Sequence, residues 1–391
     1  AAAAWLAREP VVAPPPLPPP APRLRIAYVS ADFHAHATMH LMAEMLEAHD
    51  RDRFEITLVS IGPAADDDWR RRAVAASDHF LDARTLSDAE VVAALRRRGI
   101  EIAVDLKGLT AGARTGIFAR RAAPIQVNWL GYPGTMPMPG MDYLLADKAI
   151  VPDAERAHVA EALVRLPGSY QPNARWAPLP PPPPRRDLGL PDDGFVFASY
   201  NQIYKITPEV WAIWMAILRG VPGSVLWLLR DSDLVEANLR AHAEAAGVAG
   251  DRLVFAATVP RDVHLVRQQA ADLFLDCWPC GAHTTASDAL RAGLPLLARR
   301  GRSFVARVGE SLLAQVGLGE LVAADDAAYR DLAIALANDP RRLAAIRARL
   351  VAALPTARLF DPPGLARHVE AAFTAMVARA RTGAPPGDFD V

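Results

Sequence analysis

Residues 271–293 decide the fold: Ala271-Asp272-Leu273-Phe274-Leu275-Asp276, then Cys277-Trp278-Pro279-Cys280-Gly281-Ala282-His283-Thr284-Thr285-Ala286-Ser287-Asp288, then Ala289-Leu290-Arg291-Ala292-Gly293. The short apolar run predicts a buried strand, and the final stretch predicts a helix ending at glycine. Thr285 with Asp288 approximates a capping box, which marks the helix start a second time. A strand that opens through such a turn into a helix aims free backbone N–H groups and a positive dipole end at whatever lies above it. That is the chemistry of a phosphate cradle. A capped helix start with nothing bound is the plain alternative, and the company of the segment decides between them.

The same alternation runs along the chain. Residues 24–30, 54–59, 101–106 and 125–130 read as strands, with helical spacing over 40–48, 69–76 and 88–98. Residues 195–199, 224–229, 253–256 and 273–276 are strands of a second set, alternating with helices over 208–218, 234–246, 261–269 and 285–292. Further helices cover 303–316, 327–337, 340–352 and 365–381. Repeated strand–helix units predict parallel sheets covered by helices on both faces, with ligands at the carboxyl ends of the strands. Two proline-rich tracts, 13–23 and 178–186, exclude helix and central strand and read as stiff extended linkers. The expected organisation is a helical remnant (1–8) and linker over 1–22, a first Rossmann-like lobe over 23–177 and a linker over 178–191. A second lobe follows over 192–360, then a C-terminal helix and tail over 361–391, with a cleft between the lobes.

Composition narrows the function. The chain has 391 residues and a formal net charge of −1, which argues against a general binder of nucleic acid or anionic membrane. No apolar run reaches membrane-spanning length, and no signal peptide opens the chain. Two cysteines make no disulfide framework, which fits a reducing cytoplasm. The first residue is Ala rather than Met, as in a fragment or a processed chain.

Five strand-to-helix connections hold the candidate residues, and function concentrates on such connections. After the first strand comes Asp32-Phe33-His34-Ala35-His36-Ala37-Thr38-Met39-His40. After the strand ending at Leu130 comes Gly131-Tyr132-Pro133-Gly134-Thr135. The second lobe contributes Asn201-Gln202-Ile203-Tyr204-Lys205, then Pro260-Arg261-Asp262-Val263-His264 with Arg267 one turn on, and finally the His283-Thr284-Thr285 turn. Taken singly, each histidine is better read as a loop residue, Lys205 as a solvated lysine, and Arg261, His264 and Arg267 as a polar helix face. Their placement at corresponding edges of two sheets is what that plain reading leaves unexplained.

These motifs resemble the catalytic region of the UDP-GlcNAc:protein O-GlcNAc transferases, from about residue 24 to 378. The resemblance is carried by Ser30-Ala31-Asp32-Phe33, His36-Ala37-Thr38, Trp129-Leu130-Gly131-Tyr132-Pro133-Gly134-Thr135, Asn201-Gln202-Ile203-Tyr204-Lys205-Ile206, Val225-Leu226-Trp227-Leu228-Leu229-Arg230, and Cys280 with His283-Thr284-Thr285 and Asp288. It implies an α/β GT-B fold, two facing Rossmann-like doubly wound lobes, and inverting transfer of GlcNAc to Ser or Thr hydroxyls. Donor and acceptor partners would be a UDP-sugar and a protein or peptide, with no cofactor and no divalent metal. O-fucosyltransferases of the SPINDLY type and bacterial N-glucosyltransferases belong to the same family and stand as alternatives.

Residue by residue, the resemblance puts Gln202 and Lys205 on the diphosphate, with His283, Thr284 and Thr285 at the helix start. His264 would stack on uracil beside Arg267, and Arg261 and Asp288 would serve the ribose. His36, Thr38, Leu130 and Gly131 would face sugar and acceptor, with Asp32 and His36 as the nearby titratable groups. Arg261 stands where animal enzymes carry lysine. A family histidine upstream of the first strand has no match here. The resemblance also implies tetratricopeptide repeats upstream in the full-length protein.

Other readings compete. Cys277-Trp278-Pro279-Cys280 suggests thiol redox chemistry, but the lobe is too large for a thioredoxin unit. With His283 the two cysteines supply three soft ligands where structural zinc wants four. Asp231-Ser232-Asp233 and Asp66-Asp67-Asp68 match a D-x-D metal signature, and the resemblance gives neither a metal role. A nucleotide-sugar epimerase or hydrolase on the same plan remains open, as does a non-catalytic binding scaffold.

Overall fold

Runs such as Leu24–Ser30 (LRIAYVS) are apolar on both faces, so they persist as strands only where helices cover both sides of a sheet. The computed structural model describes residues 12–391, and the expected helical remnant at 1–8 lies outside them. The described chain forms two compact units, one running through Arg175 and taking up Arg358–Val391, the other Trp176–Ala357.

In the first unit the order is β1 (Leu24–Ser30), α1 (Ala37–Glu47), β2 (Phe54–Ser60), α2 (Asp68–Ala75), β3 (His79–Asp82), α3 (Asp88–Arg97) and β4 (Ile102–Asp105). Then come α4 (Gly116–Ala119), β5 (Ile125–Asn128), β6 (Tyr143–Ala146) and β7 (Ala162–Arg165). The second unit holds β8 (Val196–Ser199), α5 (Pro208–Gly220), β9 (Val225–Leu229), α6 (Asp233–Ala245), β10 (Leu253–Ala256), α7 (Arg261–Gln268), β11 (Leu273–Leu275) and α8 (Thr284–Arg291). It continues through β12 (Leu296–Arg299), α9 (Val308–Gln315), β13 (Val322–Ala323), α10 (Asp326–Asn338) and α11 (Pro340–Ala353). The last helix, α12 (Pro362–Arg381), and β14 (Phe389–Asp390) return to the first unit.

Among the described residues the first sheet reads β14-β7-β6-β5-β4-β1-β2-β3 and the second β10-β9-β8-β11-β12-β13, and every pairing is parallel. Each order reverses once: between β4 and β1 in the first sheet, between β8 and β11 in the second. At a reversal the chain leaves adjacent strands in opposite directions and opens a crevice at their carboxyl ends. Those two crevices are the places to look for chemistry.

Three departures from the sequence reading have physical reasons. Strands β3, β6, β7 and β12, four residues each, are not among those expected; so short a run gives periodicity little to discriminate, although β10, equally short, is expected. The proline-rich tract does not mark the division between units, which falls at Trp176, ahead of it. The tract runs along the second unit, where the Pro180 carbonyl accepts from the Gln269 side chain at 2.8 Å. Residues 361–391 are part of the first unit, together with Arg358 to Phe360.

A buried polar chain explains that return. Glu370 on α12, 3% exposed, accepts from His49 Nδ1 at 2.9 Å and from the Asp50 amide at 2.8 Å. His49 Nε2 in turn faces the Tyr28 hydroxyl at 2.9 Å, so α12, α1 and β1 share one satisfied network. Removing Glu370 leaves the buried His49 ring and the half-buried Asp50 amide without their acceptor. We expect Glu370→Ala to lower stability by about 2–3 kcal/mol, and Glu370→Gln by less than half as much. Midpoints of urea unfolding check this, and equal losses in both variants would refute it.

Candidate functional site

In the second unit β8 ends at Ser199, and the chain turns through Tyr200 and Asn201 to a short 3₁₀ turn, Ile203–Lys205. Across the crevice β11 ends at Leu275, and α8 begins at Thr284. Asn201 bridges the two: its Oδ1 accepts from the Thr285 hydroxyl at 2.7 Å, and its Nδ2 donates to Cys277 Sγ at 3.2 Å. The Lys205 ammonium donates to the Gly281 carbonyl at 3.3 Å.

The expected capping box is absent. Thr285 is turned to Asn201, and the Asp288 carboxylate is taken by Arg261 Nη2 at 2.5 Å. The N-cap residue is His283, whose side chain makes no capping bond, so its φ of −111° and ψ of −91° leave the first-turn amides of α8 uncapped by it. The N-cap side chain thus does not occupy the helix start, and Lys205 holds the loop that leads into it.

Asp276 shapes this loop. Its Oδ1 accepts from the Cys277 and Ala282 amides at 2.7 Å each, and burial raises its carboxyl to about 6. Lys205 works against that rise electrostatically. The same lysine, added to burial, holds the His283 ring down at about 4. Burial pushes the Cys277 thiol well above its usual range, which removes it as a nucleophile.

On α7, which follows β10, Arg267 is 5% exposed and donates to the Ala257 carbonyl at 2.7 Å and to His264 Nδ1 at 3.0 Å. With Nδ1 accepting, the neutral ring carries its proton on Nε2. Burial, then Arg267 and Arg261, lower His264 to about 4, and Tyr200 meets its ring edge-on at 4.9 Å. His264 is thus a fixed, uncharged aromatic plate. Gln202 is exposed, and Thr284 is half-buried.

The first unit's crevice holds a buried ion pair. Lys107, just past β4, donates to both oxygens of Asp32, just past β1, at 3.1 and 2.9 Å, and each residue is 7% exposed. The Thr38 hydroxyl donates to Asp32 at 3.3 Å, and the Thr38 amide donates to His36 Nδ1 at 3.2 Å. His36 caps α1, and burial lowers its ring below the usual histidine range despite Asp32. Leu130 has φ +66°, and the Gly131 amide closes a three-residue turn on the Trp129 carbonyl at 2.8 Å. A Cβ on Gly131 would lie 1.9 Å from the Leu106 carbonyl oxygen, so glycine is required there. A non-glycine residue held at positive φ costs of order 1–3 kcal/mol and is characteristic of functional loops.

All fourteen sequence-derived site residues thus lie at the carboxyl edges of their sheets: Asp32, His36, Thr38, Leu130 and Gly131 on the first, and Gln202, Lys205, Arg261, His264, Arg267, His283, Thr284, Thr285 and Asp288 on the second. Sequence reasoning passed over Lys107, Asp105, Asp276 and Glu161 as site residues, and it quoted Asn201 in a candidate connection without giving it a role. The signal for three of them was present: Asp105-Leu106-Lys107 and Asp276 put acids and a lysine at the ends of apolar runs. Glu161 carried none, because its partners Asn128, Thr135 and Met136 lie 25 or more residues away. Both D-x-D segments are consumed locally, Asp67 capping α2 and Asp233 pairing with Arg230 at 2.5 Å. Among the described residues no group of three or more His, Cys, Asp or Glu side chains is placed to hold a metal ion.

The pKa of Asp276 sets a test. The folded state holds a proton up to about pH 6 that the unfolded chain releases near 4, so stability falls as pH rises between those values. Asp276→Asn keeps one oxygen for both amides and removes the ionisation. Its stability relative to the parent chain should improve from pH 4 to pH 8 by on the order of 2 kcal/mol. Asp105, also near 6, contributes equally to both chains. Urea titrations at the two pH values read the difference, and a pH-independent difference would sink the assignment.

Comparison with known proteins follows this geometry. The model of glycosyl transferase family 41 matches residues 4–173 and 183–368. A probable UDP-N-acetylglucosamine–peptide N-acetylglucosaminyltransferase SEC of Arabidopsis thaliana is 36% identical, over 94% of this chain and 38% of its own length. A probable SPINDLY transferase of Petunia hybrida is 31% identical, over 94% of this chain and 40% of its own. This chain therefore spans about two fifths of the curated relatives it matches. A mutant Thermobaculum terrenum O-GlcNAc transferase structure superposes with TM-score 0.90 at 33% identity, over 98% of this chain and 74% of that one. Anabaena HepE in complex with UDP and glucose shares the fold, with TM-score 0.60 at 13% identity, over 90% of this chain and 100% of that one. The fold is α/β GT-B, two parallel-sheet Rossmann-like lobes. With the family model covering most of its length, the chain belongs to glycosyl transferase family 41.

Proposed function

We propose that this chain is an inverting, metal-independent glycosyltransferase that moves GlcNAc from UDP-GlcNAc to Ser or Thr hydroxyls of protein acceptors. The observation that carries the reading is the side-chain-uncapped start of α8 beside Lys205 at the β8/β11 crevice. In the transfer an acceptor oxygen attacks the anomeric carbon, the bond from that carbon to the phosphate oxygen breaks, and UDP leaves with the electron pair. The developing charge then falls among the Lys205 ammonium and the α8 amides, donors fixed before the reaction begins. His264 offers an uncharged plate to uracil, held by Arg267, while Arg261 and Asp288 serve the ribose. Gln202, His283, Thr284 and Thr285 complete the diphosphate side.

On the other lobe His36, Thr38, Leu130 and Gly131 face sugar and acceptor. His36 Nδ1 is occupied by the Thr38 amide, which leaves Nε2 as a donor in the neutral ring. His36 is therefore a contact before it is a base, and a phosphate oxygen of the donor is the rival proton acceptor. We place the protein in the cytoplasm, working on protein acceptors, with tetratricopeptide repeats upstream in the full-length protein. No helix among the described residues is long and apolar enough to cross a membrane.

A donor panel read by UDP or GDP release tests the proposal. UDP-GlcNAc should lead, EDTA should leave the rate unchanged, and Lys205→Ala should lower it by about a hundred-fold or more. Preference for GDP-fucose would move the assignment to the O-fucosyltransferase branch. Inhibition by EDTA relieved by Mn²⁺ would end the metal-independent reading. Release of sugar without acceptor would favour a hydrolase.

A further inference from the structure

The first unit contains a cavity of about 360 Å³, lined by none of the crevice residues named above and within the size range of small-molecule sites. One wall is the segment after β7, where Ser169, Gln171 and Asn173 line the space while being 7%, 2% and 4% exposed. This wall is pinned from behind. The Tyr170 amide donates to Asp147 at 2.9 Å, and the Tyr170 carbonyl accepts from the Trp129 indole at 3.0 Å. The Gln171 amide donates to Ser169 Oγ at 3.2 Å. The opposite wall is the approach to α12 and its first turns, bearing Arg358, Asp361, Arg367 and His368.

The charges of that wall are unequal. Asp361 caps α12, accepting from the Gly364 amide at 3.1 Å, so its carboxylate is already engaged by the helix start. Two arginines outnumber that carboxylate, and burial, then Arg367 and Arg358, hold the His368 ring below the usual histidine range against the opposing pull of Asp361. Guanidinium groups match phosphate and carboxylate geometry with paired donors, and the wall opposite them is polar in Ser169, Gln171 and Asn173.

From this geometry we propose that the cavity binds a compact, multiply oxygenated anion, a phosphate ester or a polycarboxylate, at a site separate from the donor cradle. Its position gives binding a consequence. The chain leaves this unit after Arg175 and re-enters it at Arg358, so both connections begin within a few residues of the cavity walls. The Tyr170 carbonyl also joins the wall directly to Trp129, the residue before the strained Leu130 turn.

The test is isothermal titration of the whole chain, in a chloride buffer of low ionic strength, with inorganic phosphate and separately with citrate. Three proteins are compared: the parent, Arg358→Ala/Arg367→Ala, and Lys205→Ala. The proposal expects saturable binding in the parent with a component that is at least tenfold weaker in the double variant and retained in Lys205→Ala. A tighter phosphate arm identifies a phosphorylated ligand, and a tighter citrate arm a carboxylate. Binding lost in Lys205→Ala but kept in the double variant would place the anion in the donor cradle and overturn the proposal. So would no binding of either anion to the parent. If the double variant melts early, Arg367→Glu, a change at an exposed side chain, repeats the comparison. The site stands independently of the transferase reading, because the Lys205→Ala arm reports on the cradle alone.

Discussion

A buried aspartate at the end of one strand, gathering the amides of the loop that follows it, is the interaction both crevices depend on. Asp105 ends β4 and takes the Lys107 and Gly108 amides on one oxygen, at 2.8 and 2.9 Å. Asp276 follows β11 and takes the Cys277 and Ala282 amides in the same way. Each stands beside the point where its sheet reverses order. Burial holds both carboxyls near 6, and in each a lysine opposes the rise. The turn is thus fixed by a group whose ionisation is costly, and the nearby lysine is what offsets part of that cost. Two halves of one chain have reached the same local solution with different loops.

From that constraint the chemistry separates. In the second unit the gathered loop points a helix start and Lys205 into the crevice, and the histidines around it are held neutral by burial. A neutral ring stacks and donates without adding charge, so positive charge is concentrated on Lys205, the guanidinium groups and the backbone amides. In the first unit the lysine is spent differently. Lys107 lies against Asp32 at hydrogen-bonding distance from both oxygens, and the crevice there is close to electrically balanced.

Much of this was legible in the sequence, for identifiable reasons. Apolar runs such as 24–30 and 225–229 announce strands buried on both faces, and strand–helix alternation announces parallel sheets. The rule that ligands meet carboxyl strand ends then singled out Lys205, His264 and the turn at His283. What could not be read was strand order. Without it, Lys107 is one lysine after one strand, and nothing joins it to Asp32, 75 residues earlier. The capping box failed for a related reason. Thr285 and Asp288 have the right spacing, but Asn201 and Arg261 compete for them across the fold, and the tertiary partners win. Four-residue strands were read unevenly, with 253–256 found and 143–146 missed, because so short a run carries little periodicity.

The proton of the acceptor hydroxyl is where these facts bear hardest on mechanism. A general base needs a lone pair free to accept and a pKa near the working pH. Asp32 has its two oxygens shared among Lys107 and the Thr38 hydroxyl, so both already accept hydrogen bonds. His36 has Nδ1 taken by a backbone amide, and its remaining nitrogen carries the proton when the ring is neutral. Strengthening either as a base means breaking the bonds that hold α1 to β1. On the proposed function, a site built this way would gain its rate from stabilising the departing diphosphate rather than from activating the nucleophile. On the proposed reading, the Asp32–Lys107 pair then positions the floor beneath His36 and Thr38, and the catalytic burden falls on Lys205 and the α8 amides.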